Sequence, residues 1–296
     1  MKKIAAFGEI LFDVYANSKN LGGAPLNFIY HINKLTGSGK IISRVGNDEL
    51  GKEALNFLAS KGVLTNAIQI DDEHETGVAK ISLDQKGVPT FKIEQERAYD
   101  FININENKSI EILKNIDCLY FGTLAQRNEV SRKSLHTLFS KPIKYFCDIN
   151  IRQKFYTKEI LSDCLNAANV LKLNLEELKL MDELFMGGEF DVHNGSKKLM
   201  EKFNIEMLAV TKGTEGSSLF RDDETSNIKP EQSTVVDTVG AGDAFASILC
   251  LGYLNNWELG KINKLANEFA GQICMIEGAV PKDDKIYIRF RQEFIS

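Results

Sequence analysis

Residues 237–245 read Asp237-Thr238-Val239-Gly240-Ala241-Gly242-Asp243-Ala244-Phe245, and they place bare backbone and a carboxylate together at the start of an apolar helix. Ala244 to Leu254 is apolar enough to be a buried helix, so the amides of Gly240, Ala241 and Gly242 fall at its N-terminus. Amides in that position have no intrahelical partner and attract anions, helped by the helix dipole. Glycines let the backbone come close, and Asp243 offers a carboxylate able to take a proton from an attacking hydroxyl. The plainer reading is a glycine-rich turn capped by an aspartate.

Working outward, short apolar runs alternate with helical patterns. Lys3–Phe7 precedes a helix near Leu26–Leu35, and Lys40–Val45 precedes a helix near Leu50–Ser60 closed by Gly62. The rhythm resumes with Cys118–Gly122, Ser131–Ser140, Tyr145–Asp148, Lys158–Ala168 and Val170–Leu173. It predicts an α/β fold, a mainly parallel sheet with helices on both faces, whose ligands bind at the strand carboxyl ends. Asp148 and Asn174 fall at such ends.

One segment breaks the rhythm. Val78–Leu83 and Thr90–Glu94 alternate apolar and polar around Gln85-Lys86-Gly87, with Ile81, Leu83, Phe91 and Ile93 on one face. That is a hairpin pattern, and with Leu11–Ala16 it predicts a small sheet lying over the site as a lid. The alternative is an edge hairpin of the main sheet.

Several motifs taken together resemble the carbohydrate kinases of the phosphofructokinase-B type, the ribokinase-like family. They are Gly22-Gly23-Ala24-Pro25-Leu26-Asn27, Arg44 to Gly51, Asp148 to Arg152, Leu173 to Glu177, Val210 to Gly216, and the 237–245 run, all in family order. The resemblance covers essentially all 296 residues. Ile248 departs from the small residue usual there, which bears on helix packing more than on chemistry. The resemblance implies a single ribokinase-like domain over 1–296, with a discontinuous lid from about 11–23 and 76–102.

It also implies an ATP-dependent sugar kinase, with Asp243 as base and the amides of Gly240, Ala241 and Gly242 as the anion hole. Asp13, Gly22, Gly23 and Asn27 match the sugar site, with Ala98, Arg127, Asn150 and Arg152 as further substrate contacts. Read without the resemblance, Asn27 is a helix cap and Asp13 the solvent side of a strand. Thr211, Lys212, Gly213, Gly216, Asn267 and Gly278 match the nucleotide side. Asn174 and Glu177 match the element that orders Mg²⁺ and the ATP phosphates, largely through water; the same spacing is a capping box. The carbonyls of Asp237 and Val239 permit a monovalent cation such as K⁺. Gly8 to Asp13, Gly122 to Arg127 and Ser131-Arg132 look most like the bacterial fructokinase branch, which makes D-fructose the first expectation. Ribose, 2-keto-3-deoxygluconate and nucleosides stay open, as does a sugar-binding protein without turnover.

Composition narrows the field. A net charge of −5 with 36 scattered basic residues carries no footprint for nucleic acid or an acidic membrane surface. The apolar fraction of 43% suits a globular protein with a full core. The longest apolar run is far short of the roughly 20 residues that cross a bilayer. Five scattered cysteines (Cys118, Cys147, Cys164, Cys250, Cys274) read as thiols of a reducing cytoplasm, and the four histidines show no ligand spacing. Gly37-Ser38-Gly39-Lys40 fails as a P-loop, because Lys34 and Ile41 occupy its defining positions. The Gly240-Ala241-Gly242 run fails as a dinucleotide fingerprint, since Phe245 stands where the third glycine belongs. A homodimer through the lid is expected from the hairpin's exposed edge.

Overall fold

The computed structural model describes residues 1–83, 89–229 and 235–294. Its thirteen described strands form two sheets. They are β1 (Ile4–Phe7), β2 (Leu11–Val14), β3 (Lys19–Gly22), β4 (Gly39–Gly46), β5 (Ile68–Asp71), β6 (Gly77–Leu83), β7 (Pro89–Ile93), β8 (Cys118–Phe121), β9 (Lys144–Asp148), β10 (Val170–Asn174), β11 (Met207–Thr211), β12 (Ser217–Arg221) and β13 (Glu224–Ile228). The larger sheet has nine strands in the order β13-β12-β11-β10-β9-β8-β1-β4-β5. Pairing is parallel from β5 through β11, and β12 and β13, the last two strands at the other end, are joined antiparallel.

The helices are α1 (Ala24–Thr36), α2 (Glu49–Ser60), α3 (Glu106–Ile112), α4 (Glu129–Leu138), α5 (Lys158–Ala167), α6 (Leu175–Met181), α7 (Val192–Phe203), α8 (Ala241–Leu254), α9 (Leu259–Cys274) and α10 (Lys285–Arg291). Strand side chains alternate between faces, so Ile4 and Ala6 enter one core while Ala5 and Phe7 enter the other. The first core is closed by α1, α2, α8, α9 and α10, and the second by α4 to α7. Helix α8 is apolar all round, buried from Ala244 to Gly252, as a helix enclosed on every side must be.

The small sheet orders as β3-β2-β6-β7 and is separate from the large one. The hairpin of β6 and β7 pairs Ile81 with Phe91 and Ala79 with Ile93. It joins β2 in parallel rather than edging the main sheet. Strand β3 adds a fourth member that the sequence pattern did not announce. The turn at 85–87 and the side chains of Leu83 and Phe91 lie outside the described residues. Ala79 and Ile93 enter the second core beside Tyr99, which roots the small sheet in the body of the molecule.

Its root is held by Asp48. Asp48 Oδ1 accepts from the Gly51 amide (2.7 Å) and from the Thr76 hydroxyl (2.8 Å), while Oδ2 accepts from the Thr76 amide (2.8 Å). One carboxylate thus caps α2 and fixes the residue that leads into β6. Burial alone would raise its pKa, but these bonds outweigh that and hold it below the ordinary aspartate value.

Candidate active site

Six helices begin with a side chain that accepts from their own first-turn amides: Asp48, Asn105, Asn128, Thr157, Asn174 and Asp191. Helices α1 and α8 instead begin at glycines, Gly23 and Gly240, without a side-chain cap. Their first turns meet near the carboxyl ends of the parallel strands; at α8 the Ala241 amide makes a long bond to the Thr238 carbonyl (3.3 Å). Asn27, in the first turn of α1, donates from Nδ2 to Asp243 Oδ2 at 2.8 Å. Asn27 is 5% exposed and its Oδ1 has no partner among the described residues, a costly arrangement unless another donor arrives.

Gly240 has φ +79°, and a Cβ there would lie 2.4 Å from that of Ala279; both facts demand glycine. Gly242 has neither constraint. A Cβ at Gly242 would come 3.5 Å from Lys172 Nζ, so its bareness leaves the approach to that ammonium open. Gly278 (φ +75°) donates its amide to Asp237 Oδ2 at 3.0 Å, and Val239 donates to Asp237 Oδ1 at 3.0 Å. The Asp237 carboxylate therefore fastens the loop before α8 to the loop after α9. The carbonyls of Asp237 and Val239 accept no backbone hydrogen bond among the described residues.

Electrostatics single out four groups. Asp243 is pushed up to about 7, first by burial and then by Asp148, against the Asn27 bond and the charges of Lys172 and Arg152. Its residue surface is only half-buried, yet the carboxyl is ringed closely enough for desolvation to dominate. Glu9, 4% exposed beneath the start of α1, is pushed up to about 7 by burial, against its own and the Ala24 amides and Arg152. Asp13 is pushed up to about 6 by burial, opposed by Arg152 and reinforced by Asp237. Arg152 is exposed, with one long contact to the Ile151 carbonyl (3.4 Å). It is the cation whose field reaches Glu9, Asp13 and Asp243 alike.

Gly22 lies against Asp13, where a Cβ would come 3.1 Å from Oδ2. Gly23 (φ +112°) leaves room for the Glu9 carbonyl, 2.5 Å from where its Cβ would stand. Asn150 follows β9 with φ +42°. Arg127 and Ala98, the further candidates for substrate contact, both have protein partners. Arg127 forms a two-pronged pair with Asp100 (2.8 Å to each oxygen) and donates to Tyr99 Oη and the Glu94 carbonyl. Its Nη1 has no partner among the described residues. Ala98 is fully buried, its amide donating to the Glu75 carbonyl.

On the other side of α8, Asn174 and Glu177 form the capping box: Asn174 Oδ1 accepts from the Glu177 amide and Glu177 Oε2 from the Asn174 amide, both at 2.8 Å. Glu177 Oε1 accepts from the Ile151 amide at 2.7 Å. Each carboxylate oxygen thus has one lone pair engaged by backbone and one left, which suits a metal reached through water. Thr211 donates its hydroxyl to the Leu173 carbonyl at 3.5 Å. Lys212 donates its amide to the Gly216 carbonyl (2.7 Å) and Nζ to Ser218 Oγ (2.9 Å) across the turn at Gly213. Asn267 donates to Ser217 Oγ (2.7 Å) and Asn263, fixing α9 to β12.

Sequence reasoning missed Glu9 and Lys172. Glu9 lies in a quoted motif, but its burial under Gly23 is a tertiary event. Lys172 reads as one polar residue in an apolar strand. Among the described residues no His, Cys, Asp or Glu cluster forms a ready metal cage, and no helix is long and apolar enough to cross a membrane. The five cysteines are free thiols, four of them buried.

A model of the pfkB family of carbohydrate kinases matches residues 1–285. The 2-dehydro-3-deoxygluconokinase of Haemophilus influenzae is 26% identical over 315 residues, spanning 99% of each chain. The fructokinase of Salmonella typhimurium is 26% identical over 259 residues, 83% of this chain and 82% of its own. Among solved structures, a double-mutant fructokinase of Vibrio cholerae O395 with fructose, ADP and potassium bound superposes with a TM-score of 0.79. It has 21% identity and covers 94% of each chain.

Proposed function

The chain belongs to the pfkB family of carbohydrate kinases, and from that premise we propose that it transfers the γ-phosphate of ATP to a hydroxymethyl group of a neutral sugar, D-fructose first. The observation that carries this reading is the Asn27–Asp243 contact, which sets a base beside an open helix N-terminus. Asp243 Oδ2 is occupied by Asn27, while Oδ1 has no hydrogen bond among the described residues and is free to take the proton. The sugar oxygen attacks phosphorus, the bond to the bridging oxygen breaks, and ADP leaves with that electron pair. Phosphoryl transfer is mostly positioning and charge stabilisation, so the amides of Gly240 to Asp243 act on the phosphate while Asp13 and Asn27 Oδ1 hold sugar hydroxyls.

Mg²⁺ on the triphosphate would supply neutralising charge, with Glu177 and Asn174 reaching it through water. The Asp237 and Val239 carbonyls suit K⁺, in keeping with the potassium of the Vibrio cholerae fructokinase structure. The small sheet acts as a lid that excludes water as a competing acceptor, and its free edge supports a homodimer, which light scattering at micromolar concentration would test. Reduced, buried thiols support a cytoplasmic setting.

Preference for a neutral sugar follows from charge. Glu9, Asp13 and Asp243 already lie in the field of Arg152, while Arg127 is paired with Asp100 and Arg97 with Glu75 and Glu94. A carboxylate on the substrate would need a cation of its own. A second reading, a kinase of an acid sugar, is favoured by the Haemophilus influenzae relative and by the unpartnered Arg127 Nη1. An ATP-coupled assay across fructose, ribose and 2-keto-3-deoxygluconate decides between them; kcat/KM highest for the acid would overturn the choice of fructose and leave the kinase standing.

A further inference from the structure

Beneath the start of α8 lies a buried ion pair that the scheme above does not use. Lys172 Nζ stands 2.9 Å from each carboxylate oxygen of Asp148, and Tyr120 Oη donates to Asp148 Oδ2 at 3.2 Å. The two side chains are 9% and 1% exposed. Two of the ammonium's three donors are thereby used, and one remains. Such a pair is a poor device for stability alone, because desolvating two charges offsets most of their attraction.

Its location is informative. The ammonium is 3.5 Å from the point a Gly242 Cβ would occupy, directly against the second residue of α8. Its field reaches Asp243 on one side and Glu177 on the other. Lys172 therefore stands between the group proposed to take the proton and the group proposed to order the nucleotide. Any side chain at 242 would come between the ammonium and an anion at the helix start.

We propose that Lys172, held in place by Asp148, is a cation for the phosphoryl group in flight, its third donor reaching that group's oxygens past the bare backbone of Gly242. This rests on the kinase reading. As the sugar oxygen bonds to phosphorus and the bridging bond breaks, charge spreads over the equatorial oxygens. A fixed cation in a water-poor site stabilises that distribution more than the ground state. Lys172 keeps its proton throughout, and the sugar's proton goes to Asp243.

Removing Lys172 alone would strand a buried carboxylate, so the pair is neutralised together in Asp148→Asn/Lys172→Met. The expected result is a native melting curve, KM for sugar and Kd for ADP within about threefold, and kcat lower by ~10²–10³-fold, the usual loss for one oxyanion donor. The tight complex with ADP and aluminium fluoride, a mimic of the phosphoryl group in flight, should weaken by a similar factor. Wild-type turnover and wild-type aluminium fluoride binding in the folded double variant would overturn the proposal. Should the double variant fail to fold, Lys172→Arg keeps the charge and the partner but moves the donors. A melt unchanged with the aluminium fluoride complex lost supports the role, and an unchanged complex overturns it. Because that binding is read without turnover, its outcome is separable from failure to find a sugar acceptor, which would count against the kinase reading instead.

Discussion

Asn27 Nδ2 and Asp243 Oδ2 stand 2.8 Å apart, so the first turn of α1 and the first turn of α8 share one hydrogen bond across the site. The bond favours the charged carboxylate, while burial and Asp148 disfavour it, leaving Asp243 at about 7. A base works only when ionised, so kcat/KM should climb with pH and level off above about 7. Asn27→Ala removes a stabilising donor and should carry that limb to higher pH, so the variant loses more activity at pH 6.5 than at pH 8.5. Parallel profiles for the two proteins would show that Asp243 does not set the limb.

Asp243→Asn keeps the size of the side chain and can keep a hydrogen bond with Asn27, but it cannot take a proton. Turnover should fall by ~10²–10⁴-fold, with KM for sugar and ATP little changed, as initial-rate kinetics would show. Near-normal kcat would remove Asp243 from the role of base.

The parallel sheet was legible because most of its strands are short apolar runs separated by amphipathic helices, each pattern set by local chemistry. Asn174 and Glu177 were legible as a capping box because their partners are three residues apart. What stayed hidden was tertiary. Lys19 and Asn20 are exposed and polar, so β3 reads as loop until β2 is beside it. Asp48 was visible in a motif, but its grip on Thr76, 28 residues on, was not. Arg127 was visible as a candidate, but nothing in sequence announces Asp100 and Tyr99 as its partners. Lys172 looked like a strand's polar face, and only the packing of α8 on the sheet brings it to Gly242.

Gly240 and Gly242 should respond differently to alanine. At Gly240 the positive φ and a 2.4 Å approach to Ala279 make alanine strained and overpacked, at about 2–4 kcal/mol by thermal or denaturant unfolding, with activity lost as the helix start shifts. At Gly242 the 3.5 Å contact with Lys172 is ordinary, so alanine should leave the melt unchanged and lower kcat. Equal stability of the two variants would contradict the close approach at Gly240.

Asp48→Ala removes the cap of α2 and strands the Thr76 amide. A lost cap costs about 1 kcal/mol and an unsatisfied buried amide about 1–3, so unfolding should show a loss of about 2–4 kcal/mol. The depressed pKa of Asp48 means its contribution is present above the ordinary aspartate value and disappears only as pH falls through the folded value. Wild type and variant should therefore converge in acid and differ most near neutrality. The same clamp fixes the root of the small sheet, so KM for sugar should rise along with the loss of stability.

Glu9 makes the opposite contribution. Its carboxyl is held at about 7 by burial, against an ordinary glutamate value of 4.5 in the unfolded chain. Between those values the folded protein keeps a proton that the unfolded chain has released, so this group's contribution falls as pH rises and is gone above about 7. Each pH unit between the two values is worth about 1.4 kcal/mol, which makes the whole effect at most on the order of 3 kcal/mol. Asp243 acts in the same direction but is the proposed base, so replacing it would change the proposed chemistry as well, whereas Glu9→Gln removes one titration and keeps the side chain's shape. The variant should lose less stability than wild type between pH 5 and pH 8, measured as the difference in Tm at the two pH values. An unchanged difference would mean that Glu9 is ionised throughout, paired with Arg152 more closely than its burial beneath α1 allows.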